Sequence, residues 1–338
     1  MLRLRLVPLL VATATLPAFG AIDTSLLALV PPGSKIVSGI DFDRARSSQF
    51  GQYMTARINT SDQELEHFVT ETGFDPRRDI QQMLFVSNGP AEKGDSSKFA
   101  ILARGNFDQD RITAAARTKG LKAQPFEGVD IFVDKSQHDG PSAFAFLGDG
   151  IGVMGDSETV KQIVSNRATA SALDPALQAA INKTGTDNDA WFVSMMSGGF
   201  LAHHLNAQIN GDQSNHEGQS SMPQAQALQS VLQSSGGIQF GTTIRVSFDA
   251  ITRSPKDASS LADVVRFFAS MVQMERQKDP RAGIAASAFD NMNLATDGDA
   301  MHLSISLPEK SLEQLIDSMP SHHAAADLQS RPAPSHAQ

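Results

Sequence analysis

The longest regular pattern in this chain runs from Ile238 to Ala250. Its even positions are Ile238, Phe240, Thr242, Ile244, Val246, Phe248 and Ala250, and its odd positions are Gln239, Gly241, Thr243, Arg245, Ser247 and Asp249. Side chains on a strand alternate between two faces, so this spacing reads as one long strand with a dry face and a wet face. A sheet of that kind is antiparallel and covered on a single side. The cover follows directly. Ser254-Pro255-Lys256-Asp257 supplies a serine N-cap, a proline at the first helical position and an acid in the first turn. Leu261, Val264, Val265, Phe268, Met271 and Val272 then form one apolar stripe at helical spacing, which places Val265 and Phe268 in the core. A hairpin comes next: Met292–Thr296, the turn Asp297-Gly298, and Met301–Leu307. Met301, Leu303, Ile305 and Leu307 point inward on it, and His302, Ser304 and Ser306 outward.

The first half reads in the same vocabulary. Lys35–Phe42 is a strand, followed by a helix over Arg44–Ile58 with Asp43 as its N-cap. Ser61 and Glu64 have the spacing of a capping box, and the helix they open ends at Gly73. Met83–Ser87 and Phe99–Phe107 are strands. Asp108 caps a helix to Lys119, which Gly120 stops. Val129–Val133, Ala143–Leu147 and Ile151–Met154 are further strands, and a helix opens after Asp156.

Two stretches are alike. FAFLGDGIGVMGDSETVKQIVSN and MNLATDGDAMHLSISLPEKSLEQLIDS each run strand, Gly/Asp turn, strand, polar-capped helix, with Val160-Lys161-Gln162-Ile163-Val164 matching Leu312-Glu313-Gln314-Leu315-Ile316. A strand and a helix precede each unit, and Ile36–Phe42 corresponds in order to Asp189–Met196. The expected fold class is therefore α+β: a tandem duplication of a strand-helix-strand-helix-hairpin-helix unit over residues 30–168 and 186–319, with antiparallel sheets covered on one side by helices. Residues 209–222 (INGDQSNHEGQSSM) are polar and unpatterned and read as a flexible surface loop. Residues 320–338 contain few large apolar side chains and read as a disordered tail.

The N-terminus places the protein. Arg3 and Arg5 precede an apolar run from Leu6 to Phe19, and Ala18-Phe19-Gly20 puts small residues where a signal peptidase reads. Residues 1–20 are expected to be a cleaved signal peptide rather than an anchor, because the run falls short of the ~20 residues that span a bilayer. Export makes the absence of cysteine informative: there are neither disulfides nor thiolate chemistry, and stability must come from a core. A net charge of −9 and a pI near 5.4 argue against nucleic acid, which needs a basic face. The processed chain is expected to be periplasmic or secreted, with no transmembrane segment.

A few local patterns bear on chemistry. GVMGDSETVKQIV (152–164) resembles a phosphate loop, but Asp156 as N-cap occupies the helix-start N–H groups and Glu158 adds a second negative charge, so no phosphate is expected there. Glu64, His67 and Glu71 share a helical face as in di-iron bundles, yet lack the second motif those sites need, and read as a solvated face. Met195-Met196 and Met271/Met274 have copper-type ligands but core-type spacing. Asp187/Asp189 and Asp297/Asp299 stop short of a calcium loop. His322, His323 and His336 fall in the tail. No cofactor or metal is expected, and no catalytic residue can be assigned. Tyr53 and Trp191 are the only residues of their kinds, which argues against a sugar-stacking platform.

The segments LVPPGSKIVSGIDFDRARSSQFGQYM, TGFDPRRDI, ILARGNFDQDRI, DAWFVS and SGGIQFGTTIRVSFDAITRSPKDASSLADVVRFF resemble a group of uncharacterised exported proteins of Gram-negative soil bacteria. The resemblance covers most of the chain beyond the leader, apart from the 209–222 loop and the tail. It implies export and a shared fold; the group has no assigned activity, so it carries no catalytic residues over. Two functions then stand open. One is a non-enzymatic binding or scaffold module with an unknown envelope or extracellular partner. The alternative is an envelope or extracellular hydrolase with a site near Ser197 and His203/His204.

Overall fold

The computed structural model describes residues 22–58, 63–89, 98–134, 142–169, 172–198, 223–276 and 280–318. The leader, the Ser61 cap, the 209–222 loop, His203, His204 and the histidines of the tail lie outside the described residues. So does the side chain of Glu64.

The protein is α+β, built on one antiparallel sheet of twelve strands. In chain order these are β1 (Ile36–Asp41), β2 (Ile80–Ser87), β3 (Phe99–Gly105), β4 (Lys122–Phe126), β5 (Val129–Asp134), β6 (Ser142–Gly148), β7 (Ile151–Asp156), β8 (Ala190–Ser194), β9 (Val231–Gln239), β10 (Thr243–Thr252), β11 (Asn293–Asp297) and β12 (Ala300–Pro308). Across the sheet they lie in the order β11-β12-β10-β9-β8-β1-β2-β3-β7-β6-β5-β4. The centre is the β1–β8 pair, with Val37 opposite Val193 and Gly39 opposite Trp191. Reading outward, one side runs β1-β2-β3-β7-β6 and the other β8-β9-β10-β12-β11, and the first side adds the β5–β4 hairpin at its edge. The two expected halves share a single sheet, a choice the sequence left open, because β1 and β8 satisfy each other's backbone groups where two half-sheets would each leave an open edge.

Helices pack on both faces, not on one. The front face carries Val37, Leu84, Leu102, Ala145, Val153 and Val193. It is sealed by the helices Ser157–Thr169 and Pro175–Gly185 through Val160, Ile163, Val164, Leu177 and Ile181, with Leu26 and Val30 from the N-terminal segment. In the second half the same face continues as Ser235, Asp249, Ser247, His302 and Ser304, and is polar. There the apolar residues of the sheet lie on the back. Ala250, Phe248, Met301 and Leu303 pack beneath the helix Pro255–Glu275 through Leu261, Ala262 and Val265. The core therefore crosses the sheet between the halves.

Several local expectations change. The alternation from Ile238 to Ala250 is not one strand: β9 ends at Gln239, Phe240–Thr242 turns, and Arg245 returns opposite Gln239. The pattern kept its phase through the turn and so concealed it. The Arg44–Ile58 helix is two helices, Phe42–Ser47 and Gln49–Ile58, broken where Ser48 takes extended backbone. Asp41, not Asp43, caps the first of them, accepting the Arg44 N–H at 3.0 Å. The caps at Asp108 and Ser254 form as read, each accepting an N–H three residues on. Phe268 is not core; it is 37% exposed. The buried side of its helix is Ala258, Leu261, Ala262 and Ala269. These small residues let the helix approach the sheet closely, so the bulky stripe is rotated off it.

Candidate functional site

Three places gather polar or exposed groups: a charged knot at one end of the central strands, a His–Asp pair on the polar front face, and the apolar back face.

The knot lies where β1, β2 and β3 meet the N-terminal segment and the loop before β8. Asp41, Asp43, Arg44, Ser47, Gln81, Gln82 and Arg104 line a cavity of about 350 Å³. Arg44 pairs with Asp189 at 2.7 Å, and Asp189, almost fully buried, also accepts the Phe240 N–H at 2.6 Å. Arg104 pairs with Asp23. Burial alone would raise the Asp23 carboxyl, but the Arg104 hydrogen bond and the N–H groups of Leu26 and Ser25 outweigh it and hold it below the usual carboxylate range. Gln82 accepts from the Asp23 N–H and reaches Asp41 with its amide. The Ser47 hydroxyl donates to the Arg44 carbonyl. Arg44 and Arg104 are each neutralised by one carboxylate, Asp41 accepts from a helix N–H and an amide, and no base is hydrogen-bonded to the hydroxyl. Buried ion pairs of this kind fix geometry more than they add stability. This cluster is a latch joining the N-terminal segment, both central strands and the β9–β10 turn.

On the front face His302 Nδ1 lies 2.7 Å from Asp249 Oδ1, and Lys183 Nζ 3.3 Å from Asp249 Oδ2. The pairing orients the ring as a base would be oriented. Ser304 is two residues along the strand on the same face. A nucleophile must hydrogen-bond its base, and among the described residues no hydroxyl bonds the His302 ring, so the pair lacks the third member of a triad.

The other residues weighed in the sequence fall apart from one another. Asp156 caps its helix, with Oδ1 accepting the Thr159 N–H at 2.9 Å, and Oδ2 accepts the Phe99 N–H at 2.8 Å. Both oxygens are thus committed, and the preceding glycine has a packing cause: a Cβ on Gly155 would fall 2.3 Å from the Phe99 carbonyl. His67 is 77% exposed and 3.8 Å from Glu71, which pairs with Lys119. Met195 packs against the front core, whereas Met271 and Met274 are exposed on the back-face helix, so the two methionine pairs do not meet. Asp187 lies beside the latch, its carbonyl accepting from Gln239. Asp297 and Asp299 flank the β11–β12 turn. Ser197 is exposed. Among the described residues no three acids or histidines converge on a metal-sized space, and no helix is long and apolar enough to cross a membrane.

The back face went unforeseen. Across the middle of the sheet it presents Phe192, Ser38, Phe85, Ile101, Met154 and Phe144 in one register row. At the first edge the helix Gln109–Thr118 covers this face, with Phe107 against Phe146 and Arg117 over the Phe132 ring. At the other edge the helix Pro255–Glu275 does so. Between them, among the described residues, the strip is only partly covered: Met154 is 56% exposed, Phe99 is exposed and stacks on Phe85, and Phe267, Phe268, Met271 and Met274 stand exposed on the flanking helix. The strand periodicity held the signal, since Phe85, Ile101 and Phe144 alternate with Leu84, Leu102 and Ala145. Both sets are apolar, and only the pairing says which one is covered.

No protein-family model matches this chain, and neither does any curated protein or solved structure.

Proposed function

We propose that this protein is an exported, non-enzymatic binding or scaffold module of the periplasm or extracellular space, and that it docks its partner on the back face of the sheet. The observation that carries this reading is the set of exposed large apolar side chains on the back face, Phe99 and Met154 on the strands and Phe267, Phe268, Met271 and Met274 on the flanking helix. Soluble chains seldom leave large apolar side chains exposed together unless something covers them. Methionine and phenylalanine mixed on one surface suit an adaptable apolar contact. The Arg-flanked apolar leader and the cysteine-free composition support export.

The two halves belong to the same proposal as copies of one ancestral unit, residues 30–168 and 186–319. The outward strand order, alike over five strands on each side of the β1–β8 seam, supports it. So do the shared connections, a helical excursion after the first strand, a hairpin, a helix, a further hairpin and a closing helix, with the β4–β5 hairpin an addition of the first half. A scaffold that joins two such units through β1 and β8 offers one wide face in place of two narrow ones.

The test is capture from the native envelope fraction by the processed protein, with Met154→Asp and Phe267→Asp beside it and Lys122→Asp on the far edge strand as control. Capture should be lost with the first two only. Equal capture by all four proteins would remove the back face from the function. N-terminal sequencing of material from the host should give Ala21; a product starting at Met1 in the membrane would end the export reading.

A further inference from the structure

Resting on the back face as the docking surface, we propose that its occupant is a second copy of this chain, the two sheets facing each other across a shared layer of helices. The disposition of the helix Pro255–Glu275 carries the inference. Ala258, Leu261, Ala262, Val265 and Ala269 face its own sheet. At 100° per residue, Phe267 and Met274 lie about 160–180° round the helix from that line, with Met271 beside them. These three point straight away from the sheet, and Met274 is the most exposed of the large apolar side chains at 69%. A surface helix of a single-layer protein would be polar there. This one is apolar on both sides over its C-terminal half, the pattern of a helix held between two apolar layers.

The second layer is present on the same molecule. The open strip of the back face, from Phe192 through Phe85 and Ile101 to Met154 and Phe144, has the composition of the strips that helices already cover at either edge. Two copies related by a two-fold axis place each outer helix face on the other's open strip. Such a contact is self-complementary, as a closed dimer requires. The area is adequate. With about 200 Å² per large apolar side chain, the six exposed ones offer on the order of 600 Å². Partly buried Phe85, Ile101 and Phe192 add a smaller share toward the ~800 Å² per partner of a standard interface. The charges near the helix do not oppose this: Asp263 pairs with Arg266 and Arg276 with Asp290, within one copy.

Sedimentation velocity on the processed chain, from about 1 to about 100 µM, reads the association directly, since an interface of this size gives affinities from micromolar upward. Dimer is expected, and Met274→Asp and Phe267→Asp should each weaken it tenfold or more. Both positions are half or more exposed, so unchanged melting temperatures will show that folding is intact. Because the chain has no cysteine, contacts can be mapped with single thiols. Met154→Cys protein mixed with Met274→Cys protein should cross-link with a short bis-maleimide, and Lys122→Cys on the far edge should not. A monomer at every concentration overturns the second copy, and so does a dimer indifferent to both aspartates. If those aspartates still abolish capture from the envelope fraction, the docking face stands and only its occupant changes. If capture too is indifferent, the docking reading fails with it.

Discussion

Gly39→Ala tests the seam between the two halves. Gly39 sits on β1 opposite Trp191 of β8, and a Cβ there would fall 2.6 Å from Cε2 and Cζ2 of the indole and 2.8 Å from Nε1. Real carbon contacts do not come so close, so the ring must move. It has nowhere to go: a Cβ on Gly185 would lie 3.0 Å from the same ring and 2.3 Å from Ile22, so backbone walls the indole on a second side. Alanine improves the strand's backbone entropy by roughly 0.5–1 kcal/mol. Over-packing a filled core costs roughly 1–3 kcal/mol. Because the contact is with a rigid ring at 7% exposure, the second effect wins, and a net loss of about 1–2 kcal/mol is expected. Denaturant unfolding followed by far-UV circular dichroism gives the loss, and emission from the sole tryptophan reports displacement of the ring. Trp191→Phe removes the atoms in the way. The double variant should then be more stable than the two single effects predict, by about 1 kcal/mol, as for residues in contact. A neutral Gly39→Ala with unchanged emission, or an additive double variant, would refute the packing of Trp191 across the seam.

Other expectations follow from the same structure. Leu261→Ala should cost about 2–5 kcal/mol as a core truncation, while Phe268→Ala should cost well under half of that; equal losses on chemical denaturation would restore the bulky stripe to the core. Asp156→Ala should lose about 0.5–2 kcal/mol as a helix cap, and Asp156→Asn only part of it, since one oxygen can still cap but the amide cannot also accept from Phe99. A rise in wild-type melting temperature with phosphate beyond that of matched ionic strength would reopen an anion site there. Glu309 is buried with Oε1 unpartnered, and burial first, then Glu313, raises its carboxyl above the usual range. The native form therefore holds its proton longer than the unfolded chain. Stability is lost as pH rises from the unfolded value through the native one, so the advantage of Glu309→Gln over wild type should grow across that window and then level. A constant difference in pH-dependent melts would place Glu309 in water.

Much of the local structure was written in the sequence because its causes are local. The Asp108 and Ser254 caps need only a side chain three residues from an N–H. The inward set Met301, Leu303 and Leu307 needs only the two-residue repeat of a strand. The Asp297-Gly298 hairpin needs a glycine at positive φ, which Gly298 supplies at 57°. β9 had no such signature. Its Ser234-Ser235-Gly236-Gly237 centre is small because other residues fill its space: a Cβ on Gly236 would meet the Phe192 ring at 2.8 Å, and one on Gly237 the Asn188 side chain at 2.2 Å. A strand whose hydrophobicity is supplied by its neighbours cannot announce itself. The rotation of the Pro255–Glu275 helix was hidden for a related reason. Periodicity finds an apolar stripe, but a helix apolar on two sides has two, and contact with Ala250 and Met301 chooses between them. The join of β1 to β8, the crossing of the core from front to back and the open strip between the helices arise only when segments far apart in the chain are paired. The sequence by itself determined that this protein is α+β and where its helices are capped. Tertiary pairing decided which apolar side chains are buried and which are left for a partner, because burial depends on what lies opposite a residue and not on the residue alone.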